Sequence, residues 1–181
     1  MKLGFNQKTL TITLAILIIT EIICLVFLSN IDKIINGDLY NYGLKFDIYW
    51  AYNYWFYRDL ALISIITSIA LSGTLITILL GNGLENYKNT VIATSLIFIA
   101  ISFLSVFSIF LMIGIDNIVN YDFKQLYNIE YHYNWTSLYH LYSRLFYFLK
   151  IISAAIAIPF ASLALFKISK PKPPSENLAK S

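Results

Sequence analysis

The chain has 181 residues, of which 58% are apolar, 17% aromatic and only 13% charged, and its mean hydropathy is +0.66. A soluble domain of this length cannot hide so much apolar surface, because much of its exterior stays in water. A formal charge of +3 is too small to argue for a nucleic-acid partner, and the single Cys24 excludes an intrachain disulfide framework or a Cys-rich metal site.

Four stretches are long enough to cross a hydrocarbon core of about 30 Å at about 1.5 Å per residue. The first covers residues 9–29. Lys2 and Lys8 precede it as in a signal peptide, but the run is too long, and "LVFLSNID" has no small-x-small cleavage site. "EIIC", ending at Cys24, puts Glu21 and bulky Ile where a lipoprotein signal needs small residues. A retained signal-anchor helix is expected.

Residues 30–59 form the first expected external loop. Its stretch from Tyr40 to Asp59, "YNYGLKFDIYWAYNYWFYRD", contains ten aromatic residues. Tyr and Trp favour a membrane interface because the ring is apolar while the OH or NH reaches water. Twelve of the fourteen Tyr and all three Trp fall in this loop and its counterpart, residues 116–144. Tyr49, Tyr52 and Phe56 recur at helical spacing, as do Tyr127, Tyr131, Trp135, Tyr139 and Tyr142. The second and fourth helices are therefore expected to begin ahead of the bilayer, with the two loops packing together as a small helical cap. Interfacial segments lying flat on the membrane are the rival reading, and β-hairpins a third.

The second span, 60–80, carries Ser64, Ser68 and Ser72 at four-residue spacing and no ionised residue. After it, "GNGLENYKN" is a Gly-containing turn without the Lys-Ser/Thr ending of a phosphate loop. The third span, 90–115, is also free of charge and places Ser102, Ser105 and Ser108 along one side. Small-residue stripes of this kind let membrane helices pack closely, although serines bonding their own backbone produce the same pattern. In the second loop, His132 and His140 are weak candidates for a metal site, since eight residues on a helix separate them by about 80° without the tight H-x-x-x-H spacing. Asn134-Trp135-Thr136 is a glycosylation sequon that chance alone explains.

The fourth span, 145–168, contains Lys150, a small-residue stripe at Ser153, Ala157 and Ala161, and Pro159, which leaves a carbonyl one turn earlier without its usual donor and predicts a kink. Residues 169–181, including "KPKPPSENLAKS", read as a disordered cytoplasmic tail. Lys2, Lys8, Lys88, Lys167, Lys170, Lys172 and Lys180 lie on one side of the expected topology, whereas residues 30–59 and 116–143 hold only Lys33, Lys45, Arg58 and Lys124. The positive-inside rule then makes both termini cytoplasmic.

The expected fold is all-α: a polytopic membrane protein with four transmembrane helices in an antiparallel bundle within residues 1–168, and two aromatic external loops. Glu21 and Lys150 lie at similar expected depths, about 9–12 Å below the external surface, and opposite charges there lower the cost of placing each in lipid. An intramembrane ion pair is the leading expectation. The alternatives are a Lys150 that snorkels alone, a protonated Glu21, or a polar path lined by both. For function, the sequence points to a non-enzymatic structural or accessory subunit, without a cofactor, whose partners are the lipid bilayer and another membrane protein or copies of itself. A small oligomeric channel or transporter using Glu21 and Lys150 comes next. A membrane enzyme or metal-binding protein using His132 and His140 comes last.

Overall fold

The structure, a computed structural model, describes residues 7–35, 48–81, 87–126 and 133–169. They form four helices: α1 (Gln7–Lys33), α2 (Ile48–Gly81), α3 (Tyr87–Leu126) and α4 (Tyr133–Ser169). Each contains a stretch long and apolar enough to cross a membrane: Gln7–Lys33, Asn53–Gly81, Thr90–Val119 and Ser137–Ser162.

Every helix overruns the apolar span that announced it. α2 begins at Ile48 and α4 at Tyr133, ahead of residues 60 and 145, and α1 and α3 continue past residues 29 and 115 to Lys33 and Leu126. Residues 48–59 and 133–144 are thus helical, ahead of the apolar spans of α2 and α4. Hydropathy marks where a helix is apolar, while aromatic and amide-rich sequence without Pro stays helical beyond that point. The expected cap joins loops 30–59 and 116–144; of these, residues 36–47 and 127–132, and the side chains of 48–52, 120–126 and 133–136, lie outside the described residues.

Backbone groups in an apolar solvent must be satisfied within the helix, and the hydroxyls that interrupt these helices comply. Thr11, Thr13 and Thr20 donate to the carbonyls of Gln7, Thr9 and Ile16 at 2.9–3.0 Å, and Thr67 and Thr74 donate to Ile63 and Ala70 at 2.8 Å. Pro159 lies on the exposed side of α4, which continues past it to Ser169. Ser162 donates to Ile158 O at 2.9 Å, one turn back from itself, so it does not serve the Ala155 carbonyl that Pro159 orphans.

The helices close into a ring in which α1 packs on α2 and α4, and α3 packs on α2 and α4. Gln7 of α1 donates to Leu79 O near the end of α2, and Asp32 near the end of α1 accepts from Tyr54 and Arg58 near the start of α2. Phe98 of α3 stacks on Phe160 of α4 at 5.2 Å, and Phe27 of α1 on Tyr142 of α4 at 5.9 Å. Gly114 lets α3 approach α2 closely: a Cβ there would lie 3.0 Å from the Tyr57 ring. Gly114→Leu is expected to lower stability by about 1–3 kcal/mol through overpacking, measured as a fall in the thermal midpoint of the purified protein.

Inward and outward faces differ in kind. On α1 the buried positions include Leu10, Leu14, Leu17, Glu21 and Cys24, while Ile12, Ile16, Ile19 and Val26 are about half exposed. Only 33–39% of each apolar window is buried inside the bundle. An exterior this apolar exceeds what a water-facing helix bundle tolerates as scattered exposed residues.

The interior is not one continuous apolar core. One cluster gathers at the end where α1 finishes and α2 begins, around Cys24, Ile65, Leu111 and Phe146; the other gathers at the Gln7 end, around Leu17, Leu75, Ile101 and Ala157. What separates them is polar.

Candidate functional site

On each helix the buried residues between the two apolar clusters are short or charged. α1 places Thr20 and Glu21 there, α2 Ser68 and Ser72, α3 Ser105 and Ser108, and α4 Lys150 and Ser153; Ser64 adjoins them. All are buried, with Glu21, Ser68, Ser105, Ser108, Lys150 and Ser153 at 0% exposure. A four-residue repeat returns to nearly the same side of a helix, which is why the serine stripe of α2 faces inward as one unit.

Lys150 Nζ donates to Glu21 Oε2, joining α4 to α1 at the centre of this layer. The Phe146 ring lies 5.8 Å from the same ammonium and adds a weak cation–π contact. Ser64 and Ser108 share a hydroxyl–hydroxyl hydrogen bond that links α2 to α3, and the hydroxyl that accepts in it donates to its own backbone, at Ala61 O for Ser64 or Leu104 O for Ser108. Each of these two cross-links therefore ties one pair of neighbouring helices. Because the helices are longer than their apolar spans, the ion pair stands near the middle of Gln7–Lys33 and of Ser137–Ser162.

A second polar group lies toward the aromatic end. Asp116 of α3 accepts from two tyrosines of α4: Tyr139 on Oδ1 and Tyr147 on Oδ2, the latter at 2.6 Å. Asp32 of α1 accepts from Tyr54 at 3.0 Å and from Arg58 at 2.9 Å, and Arg58 also holds Asp59 at 2.7 Å. Tyr54 and Tyr139 are each 0% exposed, so both phenols enter the core ring-first with their hydroxyls on carboxylates. The helical spacing that assigns Tyr139 to the expected cap misses the carboxylate partners of these tyrosines. The available signal was an acidic residue, Asp116, closing an uncharged apolar span opposite a Tyr-rich helix start.

The remaining sequence candidates are not brought together. His140 is partly buried and meets Tyr139 edge-on at 5.5 Å, while His132 lies outside the described residues. Among the described residues no group of three or more His, Cys, Asp or Glu is arranged to hold a metal ion. Asn134 falls in the first turn of α4, and its side chain lies outside the described residues.

Fold and site together define an all-helical bundle of four helices long and apolar enough to span a membrane, with a buried polar layer between two apolar clusters. Comparison with family models, with curated proteins and with solved structures returned no match.

Proposed function

We propose that the chain is a multi-pass integral membrane protein with four antiparallel helices and cytoplasmic termini, acting as a non-enzymatic structural or accessory subunit that associates with another membrane protein or with copies of itself. Alternating direction is supported by the contacts that join the start of one helix to the end of its neighbour, from Gln7–Leu79 to Asp116–Tyr139. Orientation is supported by the concentration of lysines in residues 1–8 and 167–181.

The observation that carries the subunit reading is that Glu21 and Lys150 spend their charges on each other inside the bundle. With its central charges internally matched, the chain presents large apolar side chains outward, among them Phe103 and Phe110 of α3, 66% and 65% exposed. In lipid such faces gain from close packing against another helix. A photo-crosslinker at Phe110 is expected to capture one stoichiometric membrane partner, or a second copy, in native membranes. Recovery of the uncrosslinked 20.8 kDa chain alone would reject the reading.

A second reading, a small oligomeric channel or transporter, is favoured by one observation: Glu21 Oε1 and several layer hydroxyls have no hydrogen-bond partner in the protein. Flux in liposomes that disappears in Glu21→Gln would select it; equal flux in wild type and variant would remove it.

A further inference from the structure

The unpartnered atoms are not scattered. Glu21 Oε1 on α1, the hydroxyls of Ser68 and Ser72 on α2 and that of Ser105 on α3 are buried without a hydrogen-bond partner, Ser153 of α4 lies beside the Glu21 carboxylate, and every one falls between the two apolar clusters. Outside the layer, hydroxyls on the same helices take the i−4 carbonyl: Ser95 bonds Val91 O at 2.8 Å, Ser102 bonds Phe98 O at 2.7 Å, and Ser162 bonds Ile158 O at 2.9 Å. Self-satisfaction is thus the local habit of these helices, kept within the layer by Thr20, which bonds Ile16 O, but broken there by Ser68, Ser72 and Ser105.

We propose that this layer is a binding site for a small cluster of water molecules, held by Glu21 Oε1, Lys150, Ser68, Ser72 and Ser105. A buried carboxylate oxygen without a donor costs free energy that a bound donor recovers. Lys150 has three N–H donors, and one goes to Glu21 Oε2. The ligand must donate to Glu21 Oε1, accept from Lys150 and do either with the serines. It must also be neutral, because a cation or an anion would add net charge to a layer whose pair is already balanced. Water meets these conditions with the two to four polar partners that a buried water requires. Cys24 and Phe146 belong to the apolar cluster on one side of the layer, Leu17 and Phe98 to the cluster on the other. The cluster of waters is therefore enclosed, and its exchange needs the helices to part. This inference holds whether the protein serves as a subunit or as a carrier.

The sign of a serine deletion tests it. In a dry layer, Ser68→Ala, Ser72→Ala and Ser105→Ala each remove an unsatisfied buried hydroxyl and leave stability unchanged or raised. In a hydrated layer each removes a water ligand, and the thermal midpoint is expected to fall by about 2–4 °C. A second readout needs no variant. The Phe146 ring is fully buried and lies 5.8 Å from the Lys150 ammonium. Radiolysis in aerated 18O-labelled water generates hydroxyl radicals wherever water resides; the radical adds to the ring and dioxygen removes the displaced hydrogen as a hydroperoxyl radical, so mass spectrometry is expected to find 18O on Phe146 of the folded wild type. The proposal stands if at least two of the three variants melt lower and Phe146 is labelled; any other outcome overturns it.

Discussion

Glu21→Lys and Lys150→Glu are each expected to destabilise the protein by about 3–5 kcal/mol, because either leaves two like charges buried without compensation. Both side chains are fully buried, so neither can turn toward solvent without moving a helix. The double variant, with the charges exchanged between α1 and α4, is expected to recover much of the loss. Recovery will be incomplete, since Lys150 also sits over Phe146 and Ser153 lies beside the carboxylate, and exchange disturbs both surroundings. Folded yield from membranes and resistance to denaturing detergent measure the effect. A double variant no better than either single one would show that the two residues do not stabilise each other.

Asp116→Ala is expected to cost about 2–4 kcal/mol, because it strips the acceptor from two phenols at once. Most of that comes from Tyr139, which is 0% exposed, whereas Tyr147 is partly exposed and can turn to other acceptors. Asp116→Asn retains one side-chain oxygen and is expected to lose less. The decisive comparison adds Tyr139→Phe and Tyr147→Phe to Asp116→Ala. With the donors gone as well as the acceptor, no buried group is left unmatched, and the triple variant should melt above the single one. A triple variant less stable than Asp116→Ala would mean that the hydroxyls bond elsewhere in the core.

Much of the architecture could be read along the chain, and the failures are instructive. The spans at residues 60–80 and 90–115 contain no charge, and a run of that length allows few alternatives to a buried or lipid-facing helix. Serine spacing also transferred directly to three dimensions: Ser64, Ser68 and Ser72 recur every fourth residue and are all buried. Ser102 was grouped with Ser105 and Ser108, yet it is only partly buried and bonds Phe98 O, because three-residue steps drift around the helix by about 60° each. The helix ends at Ile48, Leu126 and Tyr133 were harder to place, since the aromatic segments satisfy helical and interfacial patterns equally.

The number of helices, their apolar nature and the candidates Glu21 and Lys150 follow from the order of residues alone, because length, hydropathy and ionisation are properties of contiguous residues. Helix packing sets the rest: that Lys150 donates to Glu21, that Ser64 meets Ser108, and that Asp32 and Asp116 bind core tyrosines. Those pairings join residues up to 129 positions apart. Their existence depends on how each helix is rotated about its axis and set in register with its neighbours, quantities fixed by the packing of all four at once and encoded in no single segment.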